Sequence, residues 1–165
     1  MDIQEIYELG LAQGWDEDDA FYLAQIAWAE SEGDVNNYEY LPDNPPNEQY
    51  SFGLWQINLQ HVPQLMEAGI GDWSEVPLSD DWANDPDLWQ NIINNIRNVL
   101  ADPVTNAEAA WYVGHRMDYN EPWDDWDWTR WNVTKLPETD GNHPSNYGSD
   151  VTRTVSEEPP VEEGL

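Results

Sequence analysis

The chain contains no cysteine, one lysine and only five basic residues among 165. Without cysteine it has no disulfide, no thiolate metal site and no thiol nucleophile. That leaves the compartment open, because secreted proteins can also lack disulfides. No apolar run approaches the roughly 18 residues that read as a membrane span, so no membrane insertion is expected. The N-terminal stretch Met1-Asp2-Ile3-Gln4-Glu5 has neither the basic nor the apolar region of a signal peptide. His61, His115 and His143 do not show metal-ligand spacing. The acid clusters 16–19 and 124–127 lack the central glycine of a calcium loop. No metal and no cofactor are expected.

Against the five basic residues stand 34 acidic ones, for a net charge of −29. A surface of this sign repels nucleic acid and anionic membranes, which excludes both as partners. Acidic disorder usually comes with few aromatic residues, but this chain has 11 Trp, 8 Tyr and 2 Phe, enough for a folded core. The composition resembles that of proteins from extreme halophiles or their viruses. At about 1 M salt the Debye length is roughly 3 Å, so self-repulsion is largely screened.

The pattern is mainly α. A short amphipathic helix is predicted over 2–13, ended by Gly14. Asp16 then caps a second helix whose first turn holds Glu17, Asp18 and Asp19, where the helix dipole favours acids. This helix is apolar on most of its surface, which predicts a buried element running to about Ser31. Residues 34–50, with Pro42, Pro45 and Pro46, read as a loop or an irregular hairpin. Residues 51–58 read as a turn entering a short helix. Further helices are expected over 61–69, 88–101 and 105–117, with a loop over 71–87 and an aromatic segment from Trp123 to Trp131. The composition shifts after Leu136, so residues 1–136 are expected to form the domain and 137–165 an extended or disordered acidic tail.

Glu30 lies in the last turn of the buried helix. Desolvation there raises the pKa of a carboxyl, and so does the negative end of the helix dipole. A carboxylic acid that keeps its proton near neutrality can protonate a glycosidic oxygen. Position alone favours an ordinary surface glutamate.

Two blocks change that weighting. Ala27-Trp28-Ala29-Glu30-Ser31-Glu32-Gly33-Asp34 and the later Ser51-Phe52-Gly53-Leu54-Trp55-Gln56-Ile57-Asn58 resemble the paired signature of the lysozyme-like superfamily. The likeness is strongest to soluble lytic transglycosylases and to lysozyme-like domains of tailed-virus lysins and tail proteins. The stretches 102–111 and 122–126 resemble downstream family segments more loosely. The resemblance implies an α+β lysozyme-like fold with a long catalytic helix and Glu30 as general acid/base. It also implies that Gln56 and Asn58 bond the sugar or hold the site, that Gly53 lets the glycan approach the backbone, and that Ser51 and Trp55 line the cleft. Trp111 stands where the family has a tyrosine beside the acid, and Glu32 where it has a glycine. Asp43 and Glu48, in the loop before the second block, are candidates for a second carboxylate. Trp73, Trp82, Trp89 and the Trp123–Trp131 group are candidate sugar platforms, with core packing the commoner use of such residues.

The expected partner is an envelope glycan, and other tail or baseplate subunits of a virion are a further expectation. The expected setting is virion-associated or extracellular. The alternative is an inactive structural or glycan-binding tail or baseplate protein on the same scaffold, because a fold does not guarantee an activity.

Overall fold

The sequence leaves helix α2 (Glu17–Ser31) almost no polar face, and the rest of the protein is arranged around it. In the computed structural model residues 1–76, 86–115 and 128–153 are described, the side chains of 86 and 87 apart. Asp16 caps α2 by accepting from the Asp19 amide, and Ala20, Leu23, Ala24, Ile26 and Ala27 are buried along it. Its C-cap is Glu32, held in the left-handed region at φ 52°, with Gly33 following at φ 81°. A non-glycine residue there costs on the order of 1 kcal/mol. The glycine cannot be exchanged for it, because a Cβ on Gly33 would lie 1.9 Å from the Met1 carbonyl oxygen.

Helix α1 (Ile3–Ala12) opens on a capping box between Asp2 and Glu5 and packs on α2 through Ile6 and Tyr7. Strands β1 (Tyr38–Tyr40), β2 (Tyr50–Phe52) and β3 (Ile57–Asn58) form one antiparallel sheet in that order, pairing Tyr38 with Phe52 and Ser51 with Asn58. The stretch 51–58 is therefore strand, turn and strand, where the sequence suggested a turn entering a helix. The turn needs positive φ at Gly53 (79°) and at Gln56 (47°), and the short 3₁₀ turn Leu59–His61 follows only after β3. Helices α3 (Val62–Ala68), α4 (Pro86–Leu100) and α5 (Pro103–Gly114) complete the helical set among the described residues. The core joins these elements through Phe52, Leu54, Trp55, Leu65, Ile93 and Ile96.

Asn106 on α5 ties the sheet to the helices. Its Oδ1 accepts from the Trp55 amide, and its Nδ2 donates to the carbonyls of Phe52 and Leu100. Gly53 makes room for it: a Cβ at that position would meet Asn106 Nδ2 at 2.1 Å.

Residues 137–153 correct the expectation of a tail beginning at 137. A 3₁₀ turn, Pro144–Asp150, packs on α2, with His143, Pro144 and Val151 buried. Gln4 exchanges two hydrogen bonds with the Thr152 backbone, and Arg153 pairs with Glu17 and Asp18 and covers the Phe21 ring. A segment rich in Pro, Gly and Ser has found its partners in side chains of α1 and α2, which its own composition does not reveal. No helix among the described residues is long and apolar enough to cross a membrane.

Candidate active site

Glu30, half-buried in the last turn of α2, opens onto a cleft of about 260 Å³. Burial, the Glu39 charge next, raises its pKa from 4.5 to about 7, and the Val133 backbone N–H, donating to the carboxyl, pulls the other way. The Glu30 carbonyl accepts from Asn37 Nδ2, and the Asn37 carbonyl accepts from the Gly53 amide and Gln56 Nε2. Asn37 thus joins the acid-bearing helix end to the 53–56 turn.

Of the residues expected at the site, Ser51, Gln56 and Asn58 line this cleft with Glu30. Gln56 Nε2 donates to the carbonyls of Gly53 and Asn37, which fixes the amide, while its buried Oε1 has no partner. Asn58 Nδ2 donates to the Glu48 carbonyl and to Ser51 Oγ, and its Oδ1 accepts from the Gln60 amide. It therefore braces the cleft floor.

The structure corrects three other placements. Trp55 is fully buried, its Nε1 donating to the Leu23 carbonyl, so it is core and does not line the cleft. Gly53 serves the approach of Asn106 from within, not the approach of a ligand. Trp111 stacks on Trp15 at 5.3 Å and leans on His115, beside a different pocket. The α5 residue that faces the cleft is Val113. Two positions along a helix turn the side chain by about 200°, so 111 and 113 cannot share a face.

Among the candidate second carboxylates, Glu48 lines the cleft, whereas Asp43 is exposed and is not among its lining residues. Sequence reasoning missed Glu39, the middle residue of β1. Strand alternation sends it to the cleft while its neighbours Tyr38 and Tyr40 stack on Tyr50 on the other face. The Tyr-Glu-Tyr alternation was the available signal. His61 was missed as a cleft residue: burial, then the Arg130 charge, lowers its pKa from 6.5 to about 4, so it is neutral at pH 7. Trp131 closes the wall, 3% exposed, with its Nε1 donating to the Trp55 carbonyl. Of the proposed sugar platforms, Trp73 is buried, Trp89 meets Tyr50 edge-on and Trp128 meets Tyr22 edge-on. Trp82, Trp123 and Trp126 lie outside the described residues.

A buried helix ending in a half-buried, proton-retaining glutamate, beside a small antiparallel sheet that walls the same cleft, defines the lysozyme-like class. Residues 7–126 match the model of the lysozyme-like domain family, and the chain belongs to that family. Membership points to glycan cleavage, with a glycan as the substrate. Neither a comparison with curated proteins nor one with solved structures gives a match.

Proposed function

We propose that the protein cleaves a cell-envelope glycan, with Glu30 as the general acid/base. The observation that carries this reading is the Glu30 carboxyl, held at about 7 inside a cleft rather than on a solvated helix end. At neutral pH a large share of such a group is protonated and can donate to the leaving glycosidic oxygen. Glu39 supplies the negative charge that favours an oxocarbenium-like transition state, and Glu48 is the candidate second carboxylate on the wall. Gln56 Oε1, a buried acceptor with no partner, suits a sugar hydroxyl or amide N–H.

The −29 charge supports a protein that works in concentrated salt. The likeness of the two signature blocks to tailed-virus lysins and tail proteins supports a place in a virion tail or baseplate. Fixed copy number in purified particles tests that placement.

The activity is tested by digesting purified envelope at roughly 2–3 M salt, where screening is strong, with wild type and Glu30→Gln. Glycan fragments released by wild type alone support the proposal, and equal behaviour of the two proteins rejects it. Mass spectrometry of the product tells whether the sugar's own 6-hydroxyl or water takes the new bond. An anhydro end means the former and a reducing end the latter.

A further inference from the structure

We infer that Asn132 binds the glycan in the cleft through its side-chain carboxamide. The inference rests on the glycan-cleaving reading above and adds to that site a substrate-binding residue from outside the matched family domain.

Residues 7–126 match the family, yet Trp131 and Asn132 line the cleft with Glu30. They come from a stretch holding two 3₁₀ turns, Trp128–Arg130 and Asn132–Lys135, which pack on α5 and α2 respectively. The backbone around Asn132 is fixed. Trp131 donates its Nε1 to the Trp55 carbonyl at 2.8 Å. The Trp131 carbonyl accepts from the Thr134 amide, and Thr134 Oγ1 bonds the carbonyls of Trp128 and Trp131. A side chain on such a frame is already positioned, so a ligand that meets it has little else to order.

The carboxamide itself has no structural duty. At other turns of this chain a polar side chain accepts from the backbone amide two residues on: Asp34 from Asn36, Asn58 from Gln60, Asp72 from Ser74 and Asp140 from Asn142. That is the usual work of Asn and Asp in turns. Asn132 also opens a turn, but its side chain is exposed and, among the described residues, none hydrogen-bonds its carboxamide. Other amides of the cleft are engaged within the protein: Gln56 and Asn44 through their N–H groups, Asn58 through both its nitrogen and its oxygen. Gln60 is unengaged as well, but its longer side chain has more rotamer freedom to lose on binding. A carboxamide donates and accepts without carrying charge, which suits sugar hydroxyls that do both.

The experiment follows Asn132→Ala in three measurements at roughly 2–3 M salt. Its melting temperature should stay within about 2 °C of wild type, as for a surface change that breaks no internal bond. In envelope digestion the half-saturating amount of envelope should rise about fivefold or more, with the maximal rate within about twofold, because one hydrogen bond to bound substrate is lost while Glu30 is untouched. When sedimented with purified envelope, Glu30→Gln carrying Asn132→Ala should bind about fivefold more weakly than Glu30→Gln alone. An unchanged half-saturation, or a loss matched by a fall in melting temperature, overturns the inference. If digestion depends on Glu30 while neither assay responds to Asn132→Ala, the inference fails and the glycan-cleaving reading stands. If wild type and Glu30→Gln behave alike in digestion, that reading falls. Weaker sedimentation with Asn132→Ala then still upholds the binding role, and unchanged sedimentation ends both.

Discussion

Glu30 and His61 line one cleft, and burial drives both to their uncharged forms, Glu30 up to about 7 and His61 down to about 4. Around pH 5.5, between those values, these two residues are both mostly uncharged, although Glu39 in the same cleft and the protein as a whole are acidic.

Replacing Glu30 should therefore stabilise the protein above neutrality. Its folded pKa is raised, so the stability present below 4.5 is lost as pH rises to about 7. The loss is of order 3 kcal/mol at most, since one pKa unit is about 1.4 kcal/mol. Glu30→Gln should melt higher than wild type at pH 8 and alike at pH 4. Glycan cleavage by the wild type should fall as pH rises through about 7, where the acid loses its proton. A rate flat across that range would exclude Glu30 as the proton donor.

His61 has the opposite sign. Its folded pKa is depressed, so stability is full above 6.5 and is lost as pH falls toward 4, while the unfolded chain takes up a proton the folded one refuses. In wild type this slope and that of Glu30 largely offset each other. Removing one exposes the other: Glu30→Gln should lose stability on acidification from pH 6.5 to 4, and His61→Gln should lose it on alkalinisation from 4.5 to 7. Denaturant midpoints across that range check both.

Asn106→Ala should cost about 3 kcal/mol or more, because the Trp55 amide and the Phe52 and Leu100 carbonyls lose their partner together. Gly53→Ala should also be severe, with φ at 79° and the new Cβ meeting Asn106. The double variant should cost less than the sum, since one change relieves part of the other's clash. Strict additivity in urea unfolding would mean the two sites are independent.

Ending the chain at Leu136 should lower stability by on the order of 3 kcal/mol, from the uncovered apolar surface where Pro144 and Val151 were buried. A melting temperature unchanged by that truncation would contradict the packing of the Pro144–Asp150 turn on α2.

Chloride should stabilise the whole domain. From about 0.1 to 2 M the melting temperature should rise by roughly 5 °C or more, as self-repulsion of the surface is screened. A flat response would show that the charge of −29 is not what limits stability.

Much of the scaffold was readable from the chain, and the reasons are local. Asp16, the acidic first turn and the nearly unbroken apolar run specify α2 without reference to anything distant. Glu30 followed as its last-turn residue. The Gly53–Asn58 block identified a segment but not the direction of its side chains, so Trp55 and Gly53 read as cleft residues although one enters the core and the other admits Asn106. Glu39 sits on a strand of three exposed residues, too short for alternation to stand out. The low pKa of His61 comes first from its burial in the fold and then from Arg130, far along the chain, and no local pattern carries either. The fold of 144–150 depends on the surface of α2 rather than on its own composition.

The Asn106 carboxamide also bears on how the molecule opens. Three backbone groups from two segments, one before α5 and one in the sheet turn, close on a single side chain. Displacing Asn106 with α5 breaks all three of these hydrogen bonds at once. The Trp55 amide should then exchange its proton with solvent only in the same event that frees α5, so the wall of the cleft and the helix behind it form one cooperative unit rather than a hinge.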